Sequence, residues 1–234
     1  MSKVSIAIIT PSLGNGGAER VSSLVSVFLT DLGYDVTLFA AYPNKDFHFK
    51  GSYFYLGHSK SNLFPFFSLV RSFFKLYKAV KSGSFDFVID FRSRRIFWIE
   101  LMFQFFIYSN VKNYIFTIHL PLIDKYIPKP WFLFQNFYKK ANALVSVSDA
   151  ISAKVNDLGY ANQVVIKNPI DFELIDIKKE KQITIEAPYI LAAGRMDDNI
   201  KRFNHVIRAY VKSKLPVNGI HLVILGEGVI KPQL

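Results

Sequence analysis

The chain has 234 residues, half of them apolar, which is enough for one large domain or for one domain and part of another. It has no cysteine for disulfides, thiolate zinc sites or nucleophiles, and no apolar run of the roughly 18 residues that a membrane-spanning helix needs. Its net charge of +11 attracts anionic lipids, nucleic acid or phosphate-bearing substrates without choosing among them.

Predicted strands and helices alternate from the start of the chain. Residues 4–10 form an apolar run rich in β-branched side chains, which is typical of a buried parallel strand. Apolar residues then recur at helical spacing over 18–32, where Gly33 predicts the helix end, and 36–41 is the next strand. Residues 4–41 are therefore expected to form a βαβ unit in a parallel sheet.

The alternation continues to Pro169. Further strands are predicted at 85–90, 114–118, 143–147 and 164–167, with helices at about 66–81, 95–109 and 131–141 and one that begins at Ser148 or Asp149. This pattern predicts an α/β fold in which residues 1–169 form a complete Rossmann-like domain with a doubly wound parallel sheet.

A second alternation follows a charged segment. Residues 170–188 lack a clear period and are predicted to be a linker. Strands at 189–193 and 222–225 flank a predicted helix that includes 206–211. Only 65 residues follow Pro169, fewer than the ~100–150 of a typical domain, so 189–234 is predicted to be an incomplete second Rossmann-like domain.

Glycines and a histidine lie where strands of the first domain are predicted to end. Gly16 and Gly17 stand between the first strand and the first helix, where the backbone allows close approach of a ligand and the helix N-terminus favours a phosphate. His119 follows the strand 114–118, at the sheet edge that faces the ligand crevice in open parallel sheets. The alternatives are a tight turn that binds nothing and a structural histidine.

The second domain offers two cations and two glycines at its predicted strand ends. Arg195 and Lys201 follow the strand 189–193, and a guanidinium fork with an ammonium suits a diphosphate. Gly226 and Gly228 form a glycine-rich turn after the strand 222–225. The alternative is a pair of solvated surface cations. The sequence has no Asp-x-Asp pair and no histidine cluster, so no metal site is predicted.

Together these segments resemble glycosyltransferase family 4, a group of retaining enzymes with the GT-B fold of two Rossmann-like domains. The resemblance rests on the order and spacing of six features across nearly the whole chain. They are GNGGAERV at 14–21, His119, SVSDAI at 146–151, KNPID at 167–171, AAGRMDDNIKRFNHVIRAY at 192–210 and LVILGEG at 222–228.

The resemblance implies roles for the matching residues. Gly16 and Gly17 would approach the donor phosphates and the acceptor, and His119 would contact the donor sugar near the reacting carbon. Arg195 and Lys201 would clamp the diphosphate and stabilise the charge of the leaving group. It also implies a hexosyl transfer with retention, a nucleotide sugar as donor, and neither a cofactor nor a metal.

One feature of the family is missing from the chain. Family members carry a Glu-x7-Glu element later in the second domain, which contacts the donor sugar and ribose, and this sequence ends before it. We therefore expect a C-terminally truncated member that binds donor poorly and transfers little or no sugar alone.

A basic helix predicts contact with a membrane. Over 63–81, aromatic and aliphatic residues form a broad apolar side, and Arg71, Lys75 and Lys78 belong to a basic stripe, as in helices that lie on anionic bilayers. Lipid-linked acceptors are frequent in the family, so a peripheral position at the cytoplasmic face is expected. Arg92, Arg94 and Arg95 would extend this patch or bind an acceptor phosphate. The alternative is an ordinary sheet-covering helix with a solvated basic face.

The leading hypothesis is a transferase that builds a surface polysaccharide or glycoconjugate on a lipid-linked or other glycan acceptor. Its main alternative is a non-catalytic module that binds acceptor or membrane, or one half of a split transferase. Nucleic-acid binding has only the net charge in its favour, and no nucleic-acid motif is present. A sugar-nucleotide epimerase would share the fold but would also need a complete second domain.

Overall fold

The computed structural model describes residues 3–14, 16–58, 65–179, 185–196 and 201–234. They belong to two compact units, one that ends at Asp171 and one that begins at Phe172. Parts of the predicted linker (180–184), of the segment after Arg195 (197–200) and of the predicted basic helix (63 and 64) lie outside the described residues.

The first unit contains a seven-stranded parallel sheet in the order β3-β2-β1-β4-β5-β6-β7. The strands are β1 Ser5–Thr10, β2 Asp35–Ala40, β3 Ser52–Tyr55, β4 Phe87–Asp90, β5 Asn113–Ile118, β6 Ala143–Ser146 and β7 Gln163–Val165. The strand order reverses between β1 and β4, which confirms the doubly wound topology. The edge strand β3 was not predicted, because its four residues are mostly exposed and follow a polar loop.

Helices cover both faces of this sheet. They are α1 Gly17–Asp31, α2 Pro65–Gly83, α3 Phe97–Met102, α4 Trp131–Lys140 and α5 Asp149–Asn156. On β1, Ile6 and Ile8 belong to the core cluster of α1, while Ala7 and Ile9 belong to the larger cluster of α2 to α5. Neighbouring residues of a strand point to opposite faces, so α1 covers one face and α2 to α5 cover the other.

The start of α5 follows from local sequence. The Ser148 hydroxyl accepts a hydrogen bond from the Ile151 N–H, so of the two predicted candidates Ser148, and not Asp149, is the cap. The predicted helix over 95–109 is less regular than expected. It begins as α3, continues through a π turn at Phe103–Ile107 and ends in a 3-10 turn at Tyr108–Asn110.

The described residues of the second unit form a two-stranded parallel sheet with two α-helices and a 3-10 turn at Lys231–Gln233. Its elements are α6 Phe172–Lys179, β8 Tyr189–Ala193, α7 Phe203–Lys212 and β9 His221–Leu225. Helix α6 occupies part of the segment predicted as a linker. The strands pair from Tyr189 with His221 to Ala193 with Leu225, and none of their residues is fully buried.

Candidate active site

Hydroxyl groups hold the loop that connects β1 to α1. The Thr10 side chain donates to the Ser12 carbonyl at 3.0 Å, and the Ser12 side chain donates to the Gly14 carbonyl at 2.9 Å. From α1, the Ser22 hydroxyl donates to the Thr10 hydroxyl at 3.1 Å. These buried bonds satisfy loop groups that water cannot reach, and they fix the path of the chain at the carboxyl end of β1.

Gly16 and Gly17 form the start of α1 at this edge. Gly16 is the N-cap residue, and as a glycine it has no side chain to cap the first turn. A Cβ atom at Gly16 would overlap the carboxylate of Glu19, which folds back over the helix start. A Cβ atom at Gly17 meets no atom of the described residues within 4 Å. Packing therefore does not require glycine at position 17.

His119 follows β5 at the same edge of the sheet. Its ring stacks on Phe91, which follows β4, with centroids 5.5 Å apart and an interplanar angle of 30°. Both ring nitrogens are buried, and neither has a hydrogen-bond partner within the described part of the chain. Burial, together with the positive charge of Arg94, lowers the pKa of His119 to about 4. The imidazole is therefore uncharged at neutral pH.

Arg92 does not belong to the predicted basic surface patch. Its guanidinium binds the buried carboxylate of Asp90 through Nε at 3.1 Å and Nη2 at 2.8 Å, and its Nη2 lies 3.4 Å from Glu100. The side chain is only 15% exposed. A charge that is buried and paired in this way is unavailable to a lipid surface, so the prediction for this residue is corrected.

Arg94 is also inside the unit, and its prediction is corrected for the same reason. Its side chain is fully buried, and its hydrogen bonds to the described residues go to backbone carbonyl groups, while the Asp90 carboxylate lies 3.7 Å away. Burial alone would raise the pKa of Asp90, but the charges of Arg92 and Arg94 outweigh it and hold this pKa below its usual range. Arg95 is exposed, as predicted for a surface residue.

Glu100 completes a buried network that sequence reasoning missed. Its carboxylate is 1% exposed and accepts a hydrogen bond from the Tyr138 hydroxyl at 2.8 Å. The Tyr108 hydroxyl donates to Asp90 and accepts from Arg92. Two carboxylates and two guanidinium groups therefore balance each other in this buried network, and the Arg94 charge reaches His119. The available signal was an acidic residue within the most apolar stretch of the sequence.

The second unit builds its strand edge from two paired loops. Beyond the strands, the Gly194 N–H donates to the Leu225 carbonyl at 3.0 Å and the Met196 N–H donates to the Glu227 carbonyl at 2.8 Å. A Cβ atom at Gly226 would overlap the carbonyl oxygen of Gly194. This approach of two backbones requires glycine at position 226, because a backbone oxygen cannot turn aside.

Arg195 and Lys201 both lie at this second edge. Arg195 follows Gly194, and the side chain of Lys201 packs so closely on Gly194 that a Cβ atom there would be 3.1 Å from its Cγ. Both side chains are exposed. The structure thus brings Arg195, Lys201 and the turn with Gly226 and Gly228 together within the second unit, while Gly16, Gly17 and His119 share the strand edge of the first.

The basic residues of α2 are divided between two sides of the helix. Arg71 and Lys78 are exposed in one stripe with Phe67, Phe74 and Lys81. Lys75 is half-buried, and its amine points toward Gly57 in the loop after β3. Phe73 and Val80 of the predicted apolar side pack in the core, together with Leu76.

Comparison with known proteins decides the family. The sequence model of glycosyltransferase family 4 matches residues 15–174, which is more than half of the chain. The chain belongs to glycosyltransferase family 4. This family 4 chain is also 29% identical to N-acetylgalactosamine-N,N'-diacetylbacillosaminyl-diphospho-undecaprenol 4-alpha-N-acetylgalactosaminyltransferase from Campylobacter jejuni. The alignment covers the whole of this chain and 65% of the relative.

Solved structures confirm the GT-B fold of this family 4 chain. An alpha-glucosyltransferase in complex with UDP and a 13-mer DNA superposes with a TM-score of 0.65 at 16% identity, over 99% of this chain and 59% of that protein. A TarM mutant from S. aureus, in complex with UDP and other ligands, gives a TM-score of 0.64 at 10% identity, over 100% and 74% of the two chains. This chain therefore spans only part of the length of both proteins.

Proposed function

We propose that this chain is part of a transferase that moves a hexosyl unit, with retention, from a nucleotide sugar to a lipid-linked glycan during synthesis of a surface polysaccharide or glycoconjugate. The observation that carries the proposal is the buried, uncharged imidazole of His119 at a strand edge, with both ring nitrogens unpaired among the described residues. Such a group offers one donor and one acceptor to the hydroxyl groups of a sugar.

The second unit supplies the complementary chemistry for the donor. In the reaction, the bond between the anomeric carbon and the diphosphate oxygen breaks, the acceptor hydroxyl oxygen takes its place, and the hydroxyl proton leaves with the diphosphate. Arg195 and Lys201 stabilise the negative charge that develops on the diphosphate, and the close backbones at Gly194 and Gly226 shape the turn beside it. No metal takes part in this scheme.

Relatives support the substrate classes. The name of the C. jejuni relative describes transfer to an undecaprenol-linked diphosphate, and two structural neighbours were solved with UDP. We extend a lipid-linked acceptor and a nucleotide-sugar donor to this chain on that basis. Because β8 and β9 bury none of their residues fully, we propose that the 234 residues alone bind donor weakly and turn over little or none of it.

Binding and transfer test different parts of the proposal. UDP titrated into the chain and followed by NMR should shift resonances near Arg195, and Arg195→Ala or Lys201→Ala should weaken binding at least tenfold. His119→Ala should leave UDP binding unchanged, because the imidazole is assigned to the sugar. Unchanged UDP affinity in both cation variants would reject the clamp, and steady sugar transfer by the 234 residues would reject their inactivity.

A chain completed with the C-terminal part of a family relative tests His119 and Gly17 in transfer. His119→Ala should reduce transfer at least a hundredfold, while full activity in this variant would reject the proposed role. Gly17→Ala should fold normally, because a Cβ atom there meets nothing within 4 Å, but should impair transfer if phosphate approaches this backbone. Equal activity of the Gly17 variant and the parent would show that Gly17 is not part of the site.

We also propose that the protein lies peripherally on the cytoplasmic face of a membrane, through α2 and the π turn beside it. Phe106 of the π turn packs 5.8 Å from Tyr77 of α2, and Phe105 and Phe106 are 63% and 44% exposed. No acidic residue occurs in α2, and Glu100, the acidic residue of α3, is buried. The surface thus combines aromatic rings with basic groups, as interfacial helices do. None of the helices in the described ranges has the length and apolar character needed to cross a bilayer.

Vesicle sedimentation with graded anionic lipid tests this contact. Each basic residue near such a surface contributes ~1 kcal/mol, or about fivefold in affinity. Arg71→Ala with Lys78→Ala should therefore weaken binding by roughly 25-fold. A matched pair in the second unit, Lys212→Ala with Lys214→Ala, should have little effect. Vesicle binding that is unaffected by salt concentration and by anionic lipid content would contradict the proposal.

A non-catalytic binding module, or half of a split transferase, is the second candidate. It is favoured by the exposure of β8 and β9, which leaves apolar side chains such as Leu191 and Leu225 for another polypeptide to cover. A separately expressed chain with the rest of a donor domain should then bind and restore transfer. A failure of such a chain to bind would leave the single-chain transferase as the better explanation.

A further inference from the structure

Arg94 joins the two ends of the loop that carries His119. Its Nε donates to the Tyr126 carbonyl at 2.8 Å, and its Nη2 donates to the Thr117 carbonyl at 3.3 Å. Its backbone N–H donates to the Lys125 carbonyl at 2.7 Å. Thr117 precedes His119 by two positions and Tyr126 follows it by seven, so one buried residue holds the loop on both sides.

The other contacts of Arg94 anchor it to β4. Its Nη1 donates to the Arg92 carbonyl at 3.2 Å and lies 3.7 Å from the Asp90 carboxylate. The guanidinium carbon also lies 4.7 Å from the centre of the Phe116 ring. The anchor point is therefore the same charge network that fixes the start of α3, and the cation is balanced where it is buried.

Lysine could not make this set of bonds. The planar guanidinium directs its donors toward carbonyl groups on three different segments, whereas an ammonium group is a single point with three donors. The Arg94 charge also acts with burial to lower the pKa of His119. Tyr126 is a further titratable group near His119: burial raises the pKa of its hydroxyl, while the His119 backbone and the Arg94 charge lower it and the Glu19 charge raises it.

We propose that Arg94 is the positioning residue of the site, and that it holds the loop of residues 117–126 so that His119 faces the sugar. Arg94 acts through His119 and does not itself touch a substrate. The contribution of this positioning to sugar transfer rests on the proposed function of His119, whereas the hold of Arg94 on the loop does not depend on that function.

Arg94→Lys and Arg94→Met separate the tether from the charge. In both variants, amide hydrogen exchange over 118–126 should become at least tenfold faster than in the parent. The His119 imidazole, followed by NMR, should titrate nearly as in the parent when lysine keeps the charge. With methionine its pKa should rise toward 6.5 without reaching it, because burial is the larger cause of the shift.

Tyr108→Phe is the matched control, since it removes a buried hydroxyl from the same network without contact to the loop. It should lower stability but change neither the loop exchange nor the His119 titration. If amide hydrogen exchange over 118–126 is no faster in Arg94→Lys than in Tyr108→Phe, the tether is refuted. The lysine variant is sufficient for this test if Arg94→Met fails to fold. If the tether holds and His119→Ala still transfers sugar at full rate in a completed chain, the function proposed for His119 fails instead.

Discussion

The two parallel sheets of this chain have similar strand sequences but very different burial. In β1, with the sequence SIAIIT, every residue after Ser5 is buried, whereas in β8, with the sequence YILAA, none is. Both runs are apolar, so sequence predicts both strands equally well. Burial depends on the layers that neighbouring elements add to each face, and among the described residues the first unit has them on both sides of its central strands whereas the second does not.

The charged groups of the two units differ in the same way. Asp90 is fully buried against Arg92, whereas the ion pair of Lys231 with Glu227 is 54% and 83% exposed. A buried pair loses much when one partner is removed, and an exposed pair loses little. The comparison therefore predicts which substitutions each unit tolerates.

The largest difference is expected for the ion pairs. Asp90→Ala should lower the free energy of unfolding of the first unit by about 4 kcal/mol, because two buried guanidinium groups are left with Glu100 as their remaining carboxylate. Glu227→Ala should cause no measurable loss. Urea unfolding followed by circular dichroism, with hydrogen exchange to assign the unit, measures both. Similar losses of unfolding free energy in the two variants would contradict the contrast between buried and exposed ion pairs.

The next largest difference in stability is expected between two leucines, one in each sheet. Leu38 in β2 is fully buried and Leu191 in β8 is 54% exposed. Leu38→Ala should cost about 3 kcal/mol through lost burial and a cavity, and Leu191→Ala less than about 1 kcal/mol. The same unfolding assay applies. A large loss at Leu191 would show that this side chain is covered in solution.

The pH dependence of the first unit follows from His119. The pKa of this base is about 4 in the folded chain, against 6.5 for an ordinary histidine, so the unfolded chain binds the proton first as the pH falls. Stability should therefore decline between pH 6.5 and pH 4, by about 2–3 kcal/mol in total. His119→Asn should flatten the unfolding free energy in that window. A slope that survives in this variant would assign the effect to other groups.

The smallest effects concern the starts of α5 and α7. Ser148→Ala removes the capping hydroxyl and should cost about 1 kcal/mol. Arg202, the N-cap of α7, is left-handed with a φ of 49° and makes no capping bond with its side chain, so Arg202→Gly should stabilise the second unit by about 0.5 kcal/mol. Thermal melts of the two variants should move in opposite directions. A loss in both would mean that the Arg202 side chain contributes more than its backbone costs.

The sequence predicted the order of the elements well because it depends on local periodicity. It also placed Ser148 at a helix start and His119 at a strand end. It failed for Arg92 and Arg94, since a run of arginines after a strand resembles a solvated loop unless the partners are known. Glu100, which is one of those partners, joins the network only after α3 packs, and its own hydroxyl partner Tyr138 lies 38 residues further along the chain. Pairing over such separations leaves no local pattern.

The π turn gives one helix two different registers. A regular α-helix with Glu100 and Phe103 facing inward would carry Tyr108 away from them, because 3.6 residues complete a turn. The wider turn at Phe103–Ile107 absorbs an additional residue and returns Tyr108 to the core, where its hydroxyl reaches Asp90. Loss of one residue from this turn would give an ordinary helix that still presents Tyr108 to the core, whereas an inserted residue would turn Tyr108 away, so the segment should tolerate a one-residue deletion better than a one-residue insertion.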